Sequence, residues 1–321
     1  NRRYKRLRVS KKVQVFILSY NRPEYLKETL NSVSSQLYKD MEIIVSDNST
    51  TDEVEKMIHT LYPEITYRRR RPSLKPVVHF RTVLLEASSD YFMLFHDDDI
   101  MLKRCVEMLA EELDGCMECV AVSCNALIMY GNVVSKNSLF QIKTPNIDIH
   151  TPTELARKYL GFYGETAPFS GYMYRRSTVY GIIPYGKYGD VSFLMKIAGV
   201  GKIRWVNIPL MYYRIHQNND TATVKITELF NLLSFIYQNT DIKRNDVDVT
   251  IFKIKHWLAW RRSILKTGSR DKYSWRFRCV TFSLLKYISR IAIKHPVLFI
   301  RMALWKLKRS LLRNFYETYT L

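Results

Sequence analysis

The feature that most constrains this chain is an alternation repeated three times in its first hundred residues. A short apolar run ends in a knot of polar residues, and apolar positions at helical spacing precede or follow it. Val13-Gln14-Val15-Phe16-Ile17-Leu18 gives way to Ser19-Tyr20-Asn21-Arg22-Pro23, after which Leu26, Leu30, Val33 and Leu37 recur at steps of three or four. Asn21 is a candidate N-cap there, with Pro23 in the first turn. Glu42-Ile43-Ile44-Val45-Ser46-Asp47 is followed by a polar turn and by Val54, Met57, Ile58 and Leu61. Val83, Leu84 and Ala87 precede Tyr91-Phe92-Met93-Leu94-Phe95, which ends on His96-Asp97-Asp98-Asp99. A strand apolar at nearly every position is buried on both faces, and the intervening helices supply the cover. The prediction is an α/β fold with a mostly parallel sheet and helices on both sides. Ligands of such sheets bind beyond the carboxyl ends of the strands. Ser19–Arg22, Asp47–Asp52 and His96–Asp99 all fall there.

From about residue 224 strand signals fade and a helical texture runs to the end, with Phe277, Val280, Leu284, Ile288 and Ile291 at helical steps. This divides the chain into an arm (1–12), an α/β unit (13–223) and a helical C-terminal region (224–321). Charge follows the same division. Of a net +20, residues 1–12 carry seven Lys/Arg and no acid, and residues 251–321 carry seventeen against Asp271 and Glu317 alone. What lies between is near neutral. No apolar run is long enough to span a bilayer, and no signal-peptide pattern is present. Five cysteines without a disulfide-like framework suit a reducing compartment. Cys116-x-x-Cys119 lacks the further ligands that zinc requires and is expected to be packed as ordinary thiols.

The strongest chemical signal is Asp97-Asp98-Asp99 at a strand end. Adjacent carboxylates repel, and a hard divalent cation, Mg²⁺ or Mn²⁺, offsets that cost. A solvated helix cap is the plain alternative, and the position in an α/β sheet favours metal. Asp47-Asn48-Ser49-Thr50-Thr51-Asp52 is equally an Asx-turn or a ligand loop. Ser19–Pro23 is either a helix start or an aromatic, an amide and a guanidinium set to hold a base and a diphosphate.

The order of these three sites resembles that of the family-two glycosyltransferases of GT-A, Rossmann-like fold. The matching segments are VFILSYNRPEYLKETLNSV, EIIVSDNSTTD, ASSDYFMLFHDDD, KYGDVSFLMKIAGVGKI and YRIHQNND. Such enzymes take a sugar from a nucleotide diphosphate and invert its anomeric carbon. The resemblance implies that Ser19, Tyr20 and Arg22 line the nucleotide pocket and that Asp47 bonds the pyrimidine ring. Arg81 stands where the family has an Asn. Asp97, Asp98 and Asp99 form the DXD element that meets the ribose and the metal, and His216 closes over the diphosphate or the metal. Asp190 matches the general base, with Gly189 replacing the family's preceding acid. Without the resemblance, Asp190 reads as a helix N-cap. Arg22 and Arg214 are candidates to steady the diphosphate.

The cationic tail interleaves Trp257, Trp260, Trp275, Phe277, Tyr287, Phe299 and Trp305 with its basic residues, as helices at a membrane interface do. An anionic membrane is the expected partner rather than nucleic acid, for which no module is visible. A solvated helical face lying over the α/β unit is the plain alternative. The expectation is therefore a metal-dependent, inverting glycosyltransferase, cytoplasmic and peripheral on the inner face of the plasma membrane. It would move a sugar from a UDP-sugar to a polyprenyl-diphosphate-linked or oligosaccharide acceptor in surface polysaccharide synthesis. A nucleotide-binding regulatory or nucleic-acid-binding protein of the same fold is the alternative.

Overall fold

The computed structural model describes residues 11–140, 144–161, 166–216, 226–266 and 275–304. The predicted alternation is present: β1 (Val13–Ser19), α1 (Pro23–Ser34), β2 (Met41–Asp47), α2 (Glu53–Leu61), β3 (Thr66–Arg69), α3 (Pro76–Glu86) and β4 (Tyr91–His96). These four strands pair in parallel in the order β3-β2-β1-β4. The register sets Ser19 beside Asp47, and Leu18 beside His96. Three polar strand ends thus meet at one edge.

Side chains alternate across the sheet, which is why the strand sequences are apolar throughout. Phe16, Ile44, Phe92 and Leu94 enter one core, with Phe80 and Val83 of α3. Val13, Val15, Ile17, Val45, Met93 and Phe95 enter the other, with Leu26, Leu30 and Val33 of α1 and Val54 and Ile58 of α2. Each such side chain contributes about 1.5–3 kcal/mol on full burial.

The second half adds β5 (Ile100–Met101), α4 (Cys105–Gly115), β6 (Cys119–Tyr130), β7 (Val133–Ser138), β8 (Asn146–Ile149), α5 (Pro152–Leu160), β9 (Tyr172–Arg175), α6 (Arg176–Val179), α7 (Gly189–Ala198) and β10 (Lys202–Ile215). Here the sheet is mixed. β9 lies antiparallel between β4 and β6, while β6 and β10 run parallel over most of their length. Gly189 opens α7 where space is short: a Cβ there would stand 3.2 Å from Pro184 and 3.4 Å from Phe80. A glycine at this position lets α7 seat closely on α3.

Two local expectations are corrected. Asn21 is not the N-cap of α1; Arg22 holds that position, and the Asn21 side chain bonds Thr50 instead. Cys116 and Cys119 are joined in a disulfide rather than packed as free thiols, while Cys105 and Cys124 are free and buried. The turn after α4 brings the two cysteines together, through bonds from Cys116 N–H to the Leu113 carbonyl and from Cys119 N–H to the Cys116 carbonyl.

The C-terminal region is helical as expected: α8 (Ile226–Asn239), α9 (Val247–Lys266), α10 (Trp275–Lys294), and helical residues 296–304. α8 is not peripheral, since Leu229, Leu232, Leu233 and Ile236 belong to the first core together with Val249 and Phe252 of α9. Arg157 of α5 ties α9 down through Asp248 at 3.0 Å and Asp246 at 3.3 Å. Among the described residues no helix is long and apolar enough to cross a membrane.

Candidate active site

The β1–α1 loop forms one wall of the strand-end edge. Asn21 adopts φ 53°, a left-handed conformation that asparagine tolerates better than most residues. Its backbone N–H donates to Ser49 Oγ at 2.7 Å, and its side-chain oxygen accepts the Thr50 N–H at 2.8 Å. Such local strain is kept where the surroundings over-determine it, often at ligand sites. The loop presents the Tyr20 ring, 49% exposed, while Ser19 is buried with no hydrogen-bond partner for its Oγ among the described residues.

Asp47, at the end of β2, is fully buried. Its carboxylate accepts the Ser49 N–H at 2.9 Å and the Tyr67 hydroxyl at 2.6 Å, and it pairs with the Arg69 guanidinium. A carboxylate offers about four lone pairs, and these three partners occupy most of them. Behind it His79 of α3 is hydrogen-bonded to Ser46 Oγ at 2.7 Å, and burial, then the Arg70 charge, lowers its pKa to about 4.

The end of β4 is the centre of the site, with Asp97, Asp98 and Asp99 all buried. Asp97 accepts the Tyr20 N–H at 2.9 Å and pairs with Arg22 at 2.7 Å. Burial raises its pKa to about 7 despite Arg22. Arg22 also reaches Asp98 at 2.7 Å, and His216 Nε2 lies 2.9 Å from the same Asp98 oxygen. Burial works against ionisation of Asp98, but His96, Arg22 and His216 outweigh it and hold this carboxyl below the usual range. Asp99 accepts the Ser170 hydroxyl at 2.5 Å and the Arg214 N–H at 3.0 Å. Burial and the neighbouring Asp98 charge raise it.

Arg214 is spent inside the protein. It donates to the Asp98 carbonyl at 2.8 Å, the Gly131 carbonyl at 2.9 Å and Asn132 at 2.8 Å, and pairs with Glu28. The guanidinium therefore braces the acidic turn rather than pointing to a diphosphate.

His96, Asp98 and Asp99 each offer a ligand atom, all within 4.8 Å of one another. His96 was not among the expected ligands, although it directly precedes the acidic run on the same strand. Of the expected set, Asp99 is in the cluster, His216 adjoins it through Asp98, and Asp97 turns toward Tyr20 and Arg22. Two carboxylates and an imidazole, with no sulfur, suit a hard or borderline divalent ion such as Mn²⁺.

Asp190 lies at the second position of α7, behind the N-cap Tyr188. Burial raises its pKa, offset by backbone N–H groups of Val191 and of Asp190 itself and by the His96 charge. It also shares an electrostatic environment with the acidic turn: the Tyr213 hydroxyl is raised by burial and by Asp99, Asp98 and Asp190 together. The Arg81 side chain is exposed on α3, where His79 and Phe80 point inward, and it makes no contact with the cluster.

Residues 14–179, just over half of the chain, match the model of Glycosyl transferase family 2, and the chain belongs to this family. One relative is abequosyltransferase RfbV of Salmonella typhimurium, 39% identical over 105 residues, 30% of this chain and 31% of that protein. Another is the GalNAc(5)-diNAcBac-PP-undecaprenol beta-1,3-glucosyltransferase of Campylobacter jejuni, 27% identical over 105 residues, 32% of this chain and 34% of that one. The alignments thus span about a third of the length of each. Among solved structures, S. aureus TarS 1-349 in complex with UDP-GlcNAc superposes with a TM-score of 0.60 at 16% identity, covering 86% of this chain and 80% of that one. This likeness establishes the GT-A architecture.

Proposed function

We propose that this chain is an inverting glycosyltransferase that moves a sugar from a nucleotide diphosphate, a UDP-sugar, to a hydroxyl of a lipid-linked or oligosaccharide acceptor. The observation that carries the reading is that the ends of β1, β2 and β4 meet at one sheet edge, with the buried acidic turn there and Asp190 of α7 near enough to feel the His96 charge. Tyr20 offers an exposed ring for a base, Ser19 a buried hydroxyl with no partner among the described residues, and Asp47, held by Tyr67 and Arg69, is assigned to the pyrimidine ring. Asp97 is turned to the same loop and is assigned to the ribose. Arg22, held against Asp97 and Asp98, places positive charge beside the leaving diphosphate. His96, Asp98 and Asp99, with His216 adjoining, would hold a divalent cation, Mn²⁺ or Mg²⁺, which when bound stabilises negative charge on that diphosphate.

Asp190 takes the proton of the acceptor hydroxyl as its oxygen bonds the anomeric carbon and the carbon–phosphate oxygen bond breaks on the opposite face. Burial strengthens it as a base. The UDP-GlcNAc bound to TarS supports the donor class, and the undecaprenol-linked substrate in the name of the Campylobacter relative supports the acceptor class. The same relative, with the cationic C-terminal residues, supports a place on the inner face of the plasma membrane.

A thermal-shift panel of nucleotide sugars with and without Mn²⁺ tests the reading. One UDP-sugar should raise the melting temperature in a metal-dependent way and release UDP slowly. Stabilisation by nucleotides without turnover of any sugar would favour a regulatory protein instead.

A further inference from the structure

The C-terminal helices bury one apolar face and leave another uncovered. Ile251, Ile254 and Trp257 of α9 close on Ile291 of α10, with Tyr287, Leu298 and Met302 packed around them. The Trp257 and Tyr287 rings lie 5.5 Å apart, so these aromatics serve internal packing. The outward positions are different residues. Ile293 is 79% exposed, Val297 65%, Ile300 57% and Leu304 60%, and they recur at steps of four, three and four. Lys286, Lys294, His295 and Arg301 are exposed around them, and Lys286, Lys294 and Arg301 form no ion pair among the described residues. Exposed apolar residues either side of the break at His295, beside cations with no ion pair among the described residues, form a surface awaiting a partner.

We infer that the face of Ile293, Val297, Ile300 and Leu304 is the surface that seats this protein on an anionic lipid bilayer. The inference deepens the peripheral-membrane part of the proposed function and rests on it. Charge complementarity selects the occupant. Seventeen Lys/Arg against two acids in residues 251–321 attract anionic headgroups, while a second copy would bring like charges together. Lipid takes up the aliphatic row, which phosphate-reading surfaces of nucleic-acid binders do not need. Since no described helix is built to cross the membrane, the segment lies in the interface plane. The ion pairs of Arg157 then link this face through α9 to α5, and α5 packs against α7, which carries Asp190.

The test is co-sedimentation of the full chain with vesicles of phosphatidylcholine alone and of phosphatidylcholine with phosphatidylglycerol. Wild type should bind the anionic vesicles selectively. Val297→Glu/Ile300→Glu should weaken that binding on the order of tenfold or more, and Lys294→Glu/Arg301→Glu should weaken it too. Met117→Glu, at an exposed apolar position elsewhere, should change nothing. UDP-sugar hydrolysis and the melting temperature should stay unchanged throughout, which separates this result from a failure of the transferase reading. Equal binding of Val297→Glu/Ile300→Glu and wild type overturns the inference. So does a wild-type dimer in sedimentation velocity that this variant turns into a monomer. If wild type binds no vesicle yet still hydrolyses donor, the membrane assignment falls and the transferase stands.

Discussion

Replacing Arg214 by Met separates bracing of the acidic turn from contact with substrate. The side chain is 1% exposed, and Met fills similar space without donors. The Asp98 carbonyl, which accepts from Nε at 2.8 Å, would be stranded in a buried place at about 1–3 kcal/mol. Gly131 and Asn132 are exposed and can turn to water, so each loses only the net worth of a hydrogen bond, about 0.5–1.5 kcal/mol. Glu28 is 46% exposed, and its lost pairing counts for at most about 1 kcal/mol. The sum is roughly 2–7 kcal/mol, a large share of the 5–15 kcal/mol typical of a folded protein. At about 2–4 °C per kcal/mol for a chain of a few hundred residues, the ligand-free melting temperature should fall by about 4–28 °C. Differential scanning fluorimetry without nucleotide measures this. A melting temperature within about 2 °C of wild type, combined with weakened donor binding, would show that Arg214 faces the substrate and refute the bracing role.

Three further outcomes follow from the site. His79 has its pKa lowered from 6.5 to about 4, so its stabilising neutral form is fully present above the ordinary value and lost as pH falls through the folded one. Wild type should therefore lose stability between pH 6.5 and 4 more steeply than His79→Gln in denaturant titrations; parallel curves would refute this. Asp98→Asn should lower Mn²⁺ affinity, read by calorimetry with the metal alone, by at least about tenfold, while Arg81→Ala leaves it unchanged. Ser170→Ala strands an oxygen of the buried Asp99 at about 1–3 kcal/mol, and urea titration should show the loss.

Much of this was legible because local pattern and topology agree in the first hundred residues. The strands from Val13, Met41 and Tyr91 are apolar on both faces, so each had to lie inside a covered sheet, and parallel pairing forced their polar ends together. The second half was less readable because its site contacts are made at long range. Nothing around Ser170 marks it as the partner of Asp99, and nothing near Arg214 points to Glu28, 186 residues away. Both contacts exist only once β9 and β10 have been placed. Trp257 shows the reverse limit: an aromatic among lysines resembles an interfacial anchor until α10 is seen to cover it. Of the aromatics counted toward the membrane, Trp275, Phe277 and Trp305 have side chains outside the described residues.

The most direct test of the central claim is transfer of labelled sugar from a UDP-sugar to a polyprenyl-diphosphate-linked acceptor, comparing wild type with Asp190→Asn. The amide keeps the shape of the carboxylate and cannot accept the proton. Donor Kd should stay near wild type while kcat falls by roughly 10²–10⁴-fold, and the wild-type product should carry the inverted anomeric configuration. Turnover by Asp190→Asn at the wild-type rate, or a product of retained configuration, would contradict the account.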